Sequence, residues 1–306
     1  MKNLDEKTQN RSGIRAFLAR EREKLFVLSP SLFFLVFFLI FPIINIFIFS
    51  FWSLDPDTGL MQSDFTLQNY LTFFSHFMYF HSLFRTVQIT VVVTIVSLLL
   101  AYPTAYFIAF SVNPKIQSFL LFLVILPSWS SLLIRTYSWM SVLRVDGFLD
   151  SVLQSAHLTS QPLNLLYSKT AVIIGLVHIY LPFMILPIYS NLKNLDMSLL
   201  DAARALGASA SRAFLRVTLP LSFPGIATGV FLVGLPSFGA FVIPKILGGT
   251  SDVMIGNVID MQFKEVFNWP FGAAVAGMMT LMLLLSMYLF NRFIGLERLS
   301  GSTKER

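Results

Sequence analysis

The sequence predicts an all-α polytopic membrane protein with six transmembrane helices, and three observations carry that expectation. Hydrophobic residues make up 55% of the 306 and charged residues only 12%, with 32 phenylalanines and a mean hydropathy of +0.71. A water-facing surface does not absorb that composition. Apolar runs of the roughly 20 residues needed to cross a bilayer recur six times, and one polar, alanine-rich stretch, 199–220, separates the fourth run from the fifth.

In chain order, residues 1–26 are a basic tail in which Ile14, Phe17, Leu18 and Leu25 fall at helical spacing beside Arg15, Arg20, Arg22 and Lys24. That pattern fits an amphipathic helix on an anionic membrane surface. Residues 27–52 form the first span, read as an uncleaved anchor because the apolar run is too long for a signal peptide and no small-residue cleavage site follows. Residues 53–83 are an extracytoplasmic loop carrying Asp55, Asp57 and Asp64. A core over 84–293 then supplies five more spans, at 84–111, 117–143, 170–190, 223–243 and 271–293, with the polar loop at 191–222 and a tail at 294–306.

Orientation follows from the basic residues, which stay on the cytoplasmic side of short loops. With the N-terminus inside, 16 of the 22 Lys and Arg lie in cytoplasmic pieces. Both termini and the loop at 199–220 are therefore expected in the cytoplasm. Arg85, Arg135, Arg144, Lys169, Lys245 and Lys264 remain outside or within spans, mostly at helix ends where long side chains snorkel to water. Acidic outer loops, with Asp146, Asp150, Asp252, Asp260 and Glu265, attract a cationic solute or a basic partner, or are simply polar loops.

The polar loop reads as a helical hairpin. Ser198 is placed to cap a helix that Ala202, Ala203 and Ala205 favour, and Gly207 permits the left-handed turn that ends it. Ser209 or Ser211 then caps a second helix, which Pro220 limits. Small alanines let such a helix press into a groove while Arg204, Arg212 and Arg216 offer charge at its rim, the form of a helix-in-groove ligand.

The fifth span is interrupted by Gly225, Gly229, Gly234, Pro236, Gly239 and Pro244, which suits close packing or a water-filled cavity, and the solute path is expected along it. Arg135 needs a partner at its depth, with Asp146, Asp150 or Asp260 as candidates. His178 is read as a satisfied interhelical hydrogen-bonder, the alternative being a proton relay. Trp129, Tyr137, Trp139, Tyr180 and Trp269 present cation-π faces, although each singly fits an interface anchor equally well.

Several classes are excluded. Four His and no Cys leave little for a metal cluster and nothing for disulfides. Nucleic-acid binding has no folded basic domain behind it. No phosphate loop, H-E-x-x-H or G-x-S-x-G occurs. The chain is not expected to be an enzyme or to bind a cofactor, and any ATP-driven step belongs to another polypeptide.

In order and spacing the loop resembles the Glu-Ala-Ala motif of binding-protein-dependent ABC importer permeases. Asp201-Ala202-Ala203 is followed after three residues by Gly207, and after nine more by Val217-Thr218-Leu219-Pro220, with Asp for Glu at 201 and Val for Ile at 217. Further signatures between about Arg85 and Arg292 look like spermidine/putrescine permeases: residues 133–139 around Arg135, Leu181-Pro182-Phe183-Met184, Phe241-Val242-Ile243-Pro244, Leu247-Gly248-Gly249, Ile255-Gly256-Asn257 and 268–272. Polyamine relatives often carry an acidic residue where this chain has Lys245.

The resemblance implies a type I ABC importer permease fold in a bacterial cytoplasmic membrane. The hairpin is then the coupling helix docking on a cytoplasmic ATPase dimer, with Asp201, Ala202, Ala203, Arg204, Gly207 and Arg212 as candidate contacts. ATP and magnesium would sit on that ATPase. The remaining partners are a second, distinct permease and an extracytoplasmic solute-binding protein. Candidate path residues are Tyr137, Trp139, Tyr180, Ser237, Asn257, Asp260 and Trp269. The alternatives are a permease for another small nitrogenous or phosphonate solute, and an ion-coupled secondary transporter, against which only His178 supplies an ionisable group at mid-span.

Overall fold

The computed structural model describes residues 28–294 apart from 32, 56 and 160, so the amphipathic reading of the basic tail lies outside the described residues. Four helices are long and apolar enough to cross a membrane, and six spans result if each of two bent pairs counts as one. The described chain is helical apart from loops and one small hairpin, in which β1 (Ser53–Leu54) pairs antiparallel with β2 (Met61–Gln62).

The first span, α1 (Leu28–Phe49), has a mean hydropathy of 2.9 and no buried residue across its most apolar window. It touches the bundle chiefly through the last helix. A short helix, α2 (Gln68–Ser75), leads into α3 (Phe77–Phe110), which starts seven residues before the expected boundary. At 1.5 Å per residue its 34 residues run about 50 Å, longer than the hydrocarbon core. The surplus turns at its start carry Ser82 into the interior.

Burial on α3 follows one stripe: Thr86, Ile89, Val93, Ser97, Ala101, Ala105 and Ala109, three or four residues apart. That spacing draws a single ridge along the helix, and small residues on it admit another backbone closely. Against this ridge pack α7 (Lys169–Lys193) and α10 (Phe223–Phe238), and these three helices form the core. Leu176, Met184, Ile188 and Leu192 are fully buried between them. On the opposite faces Ile95, Leu99, Leu281, Leu284 and Leu285 are exposed, as a chain solvated by lipid requires. Thr86, Thr94, Thr136, Ser138, Thr228 and Thr280 each donate to the carbonyl four residues back, which satisfies these six hydroxyls without water.

The third span departs from a straight crossing. Its first part, α4 (Pro114–Ile125), tightens into a 3-10 turn at Leu126–Trp129, and the chain then bends by 93° into α5 (Leu132–Leu143) and α6 (Phe148–Ser155). Pro127 lacks an amide donor and Ser130 is extended, which together end the helix. The Ser130 hydroxyl donates to the Pro127 carbonyl at 2.7 Å and closes the corner.

The polar loop is a helical hairpin of α8 (Met197–Ala205) and α9 (Ala210–Leu221), the latter bent by 58° into α10. The fifth span stops at Phe238 rather than 243, because Pro236, Gly239 and an irregular Phe241 break it before α11 (Val242–Leu247). A short helix, α12 (Ile255–Lys264), and the last span, α13 (Trp269–Ile294), complete the order.

Candidate functional site

At one end of the bundle the hairpin stands clear of the core. The cap on α8 is Asp196 rather than Ser198: its carboxylate accepts from the Ser198 amide at 2.9 Å. Those contacts hold it below the ordinary carboxylate range, the Ser198 side chain first. Gly207 turns at φ +82° with nothing within 4 Å of where a Cβ would stand. Ser209 then caps α9 by accepting from the Arg212 amide at 3.4 Å.

Asp201, Ala202, Arg204, Gly207 and Arg212 are all exposed and Ala203 is partly so. Arg204 lies 3.6 Å from Asp201 on the same face. Leu199, Leu215 and above all Leu206, 89% exposed, add apolar surface among these charges. Only Leu200, Ala213 and Thr218 anchor the hairpin inward. The linkage to the bundle is aromatic: Phe214 meets Tyr102 and Tyr106 of α3 edge to face, and the Tyr102 hydroxyl bonds Ser222 at 3.0 Å. These contacts join α9 to α3, and Ser222 joins α3 to the start of α10.

At the opposite end α11 and α12 build a charged face. Asp260, 9% exposed, takes Lys245 at 2.8 Å and Lys264 at 2.5 Å, and Lys245 also reaches Glu265 at 3.0 Å. The hydrogen bond from Lys245, then that from Lys264, hold the Asp260 carboxyl below its ordinary range; Asp260 and Glu265 raise Lys245 in return. An open cavity of about 270 Å³ lies beside them, lined by Lys245, Gly249, Asn257, Met261 and Glu265 among others. Asn257 closes the start of α12, donating to the Phe241 carbonyl at 2.8 Å and accepting from the Met254 amide at 3.3 Å. Trp269 stands apart from this cavity, edge to face with Phe263.

Between the two ends the remaining path candidates fall into small groups. Trp139 meets His178 edge to face at 5.5 Å. Tyr180 donates to the Pro236 carbonyl at 3.3 Å, next to the fully buried Ser237, whose hydroxyl has no hydrogen-bond partner. Tyr137 is 55% exposed on α5. Two expectations need correction. Arg135 pairs with none of Asp146, Asp150 and Asp260: Asp150 accepts from the amides of Asp146 and Leu163, Asp260 holds two lysines, and the Arg135 Nε is buried without a partner. His178 is not a satisfied hydrogen-bonder, since its Nδ1 is buried and unpaired.

Other polar links escaped the sequence altogether. Arg85 does not simply snorkel; it forms an ion pair with the buried Asp252 and lies 3.1 Å from His81. Lys169 donates to Gln88 at 3.3 Å, and Thr86 accepts from the Ile255 amide at 2.8 Å. Apart from the Arg85–His81 contact within α3, each joins residues 81 to 169 positions apart, for which no local pattern exists. A mostly apolar crevice of about 430 Å³ runs between α3, α10 and α13, with Thr90, Thr94, Gly234 and Ser286 in its wall. No group of three or more metal-ligating side chains occurs among the described residues.

Comparison with known proteins gives these elements a context. Residues 101–296 match the family model described as binding-protein-dependent transport system inner membrane component. The spermidine/putrescine transport system permease protein PotB of Escherichia coli K12 is 39% identical over 270 residues, covering 86% of this chain and 97% of that one. The inner membrane ABC transporter permease protein YdcU of the same organism is 31% identical over 252 residues, 78% of this chain and 79% of its own length. Among solved structures, a chain of a bacterial alginate ABC transporter in complex with a pentasaccharide-bound periplasmic protein superposes with a TM-score of 0.75 at 14% identity, covering 90% of this chain and 95% of that one. A chain of the MetNI methionine ABC transporter reaches 0.51 at 15% identity, over 70% and 93%. The fold is thus that of the ABC importer permeases.

Proposed function

The chain belongs to the family of binding-protein-dependent transport system inner membrane components, and on that premise we propose that it is the permease subunit of an ATP-driven polyamine importer. The observation that carries the reading is the exposed hairpin at 197–221, joined by Tyr102, Tyr106 and Phe214 to α3 and by a 58° bend to α10. A surface of Asp201, Ala202, Arg204, Leu206 and Arg212 has no role in the bundle's own packing and suits a groove on a cytoplasmic ATPase. Identity of 39% to spermidine/putrescine permeases supports the solute class.

In this reading both termini and the hairpin are cytoplasmic, as the distribution of Lys and Arg favours. Two ATPase chains hold ATP and magnesium and close on hairpins of this chain and of a second, distinct permease. Closure moves α9, and the aromatic clasp passes that motion to α3 and α10. The crevice beside α10 and the cavity at Lys245 and Asn257 then open on alternate sides, a two-state rigid-body change. An extracytoplasmic binding protein delivers the solute to the outer face of α11 and α12. The chain itself performs no bond chemistry; it converts closure of the ATPase into exposure of the path.

The test is uptake of radiolabelled spermidine and putrescine into cells with and without the gene, repeated with Gly207→Pro. Proline cannot adopt the φ of +82° at that position, so the turn fails. Gene-dependent uptake that is lost in the variant, with the protein still in the membrane, supports solute and hairpin together. Uptake unchanged on deletion refutes the polyamine assignment. Uptake that survives Gly207→Pro refutes the coupling role of the hairpin.

A further inference from the structure

The short helix α2 (Gln68–Ser75) falls in the stretch expected as a water-side loop, but its surroundings are those of a membrane boundary. Two spans fix its depth. The first, α1, ends at Phe49 after 22 residues. That is about 33 Å of helix, close to the roughly 30 Å of the hydrocarbon core. The turn that follows is fastened to α2: Asn69 donates to the Ser50 and Trp52 carbonyls at 3.0 and 2.8 Å, and the Tyr70 and Ser50 hydroxyls bond at 2.7 Å. Phe73, in turn, is buried with Phe271 and Val275 in the first two turns of α13. Both contacts place α2 where one span ends and another begins, at the level where hydrocarbon gives way to headgroups.

At about 100° per residue the helix divides into three arcs. Asn69, Tyr70 and Phe73 face the protein. To one side lie Leu67, Leu71 and Phe74, which are 54%, 61% and 67% exposed. To the other lie Gln68, Thr72 and Ser75, polar and uncharged. A free surface split into an apolar and a polar arc is the pattern of a helix lying in the interface, one edge in acyl chains and the other in water. Phe74 shows which way the apolar arc looks. It lines an apolar crevice of about 240 Å³ together with Leu83 of α3 and Met278, Leu281 and Met282 of α13. Leu281 and Met282 are on the exposed, lipid-facing side of α13, so the arc is continuous with that side.

We propose that α2 is an interfacial anchor: Leu67, Leu71 and Phe74 are solvated by the bilayer's acyl chains, one of which fills the crevice beneath Phe74, while Gln68, Thr72 and Ser75 face water. The anchor sets the height of the end of α1 and the start of α3 in the membrane. Contact with lipid is independent of the solute. The choice of leaflet rests on the orientation given above, which makes it the outer one.

The chain contains no cysteine, so single substitutions each carry one nitroxide spin label. Leu71→Cys and Phe74→Cys report the apolar arc, Gln68→Cys and Ser75→Cys the polar arc, Asp57→Cys in the exposed hairpin is the water reference, and Leu99→Cys on the exposed face of α3 is the lipid reference. In assembled transporter in phosphatidylethanolamine and phosphatidylglycerol vesicles, collision with oxygen relative to a water-soluble nickel chelate should rise severalfold over Asp57→Cys at 71 and 74, approaching Leu99→Cys. At 68 and 75 it should match Asp57→Cys. Labels at 71 and 74 as open to nickel as Asp57→Cys place the arc in water, and labels shielded from both reagents place a protein over it; either result overturns the proposal. Should the labelled variants fail to assemble, a phospholipid with a photoreactive tail decides in the wild-type chain: adducts within 67–74 support the anchor, and adducts on the spans alone overturn it. An impermeant maleimide that reaches Asp57→Cys in lysed but not in intact spheroplasts defeats the orientation instead, and leaves the lipid contact standing in the other leaflet.

Discussion

Replacing Gly225 with alanine tests whether the contact between α7 and α10 is as close as the fold requires. A Cβ at 225 would lie 2.6 Å from the Cβ of Asn191 and 2.8 Å from the Pro187 carbonyl oxygen. Ordinary contact begins near 3.4 Å, and both opposing groups are fixed on the backbone of α7, so the helices must part by roughly 0.8 Å. Overpacking of this kind costs about 3 kcal/mol, at the upper end of the usual range because no flexible side chain can yield. Alanine returns up to about 1 kcal/mol through helix propensity. The net expectation is a loss of about 2 kcal/mol. Gly234→Ala on the same helix is the internal control: the nearest atom, Thr94 Oγ1, is 3.8 Å away, so only the propensity gain remains. Unfolding of the purified protein in mixed micelles, titrated with denaturing detergent, should therefore separate the two variants by about 3 kcal/mol, more than a hundredfold in the folded ratio. Equal stability would refute the claim that this crossing is set by the absence of a side chain at 225.

Three further outcomes are expected. Gly207→Ala, at φ +82°, should cost about 1 kcal/mol through backbone strain alone, because the space is open; a thermal melt checks this, and Gly207→Asn should recover part of the loss. Tyr102→Phe keeps the ring contact with Phe214 but removes the hydrogen bond to Ser222, and should lose about 1 kcal/mol while slowing uptake if the clasp carries motion from the hairpin. Asp260→Asn should cost about 1 kcal/mol at neutral pH after allowing for the half-exposed Lys245. For Asp260 the folded carboxyl titrates below its unfolded value, so its contribution is full above about pH 4 and is lost as pH falls further. For Lys245 the folded value is raised, so its share is present below about pH 10 and lost above it. Melts across pH should show wild type and Asp260→Asn converging in acid; a constant gap down to pH 3 would contradict this assignment.

Much of the architecture was legible in the sequence because a bilayer acts on local properties. Helix length, apolar content and the placement of Lys and Arg are read along the chain, so six spans and a polar hairpin between the fourth and fifth follow without knowledge of any contact. The turn at Gly207 and the cap at Ser209 were equally local. Asp196 was missed as a cap although it lies two residues before Ser198, since either side chain can accept from the first free amides. The corner after Trp129 had a local signal in Pro127, but hydropathy continues unbroken through it.

What the tertiary structure decided is which distant groups meet. The charge on Arg85 became a buried ion pair only because the loop holding Asp252 folds over α3, 167 residues along the chain. Asp260 has Lys264 four residues along its own helix, but gains Lys245 as a second lysine only once α11 and α12 pack together. Arg135 had three acids nominated for it and pairs with none of them: Asp260 is held by two lysines and Asp150 by two backbone amides. The physical reason is one of range: solvation by lipid fixes each helix by its own composition, whereas the pairing of charges and the closeness of crossings depend on how whole helices lie against one another.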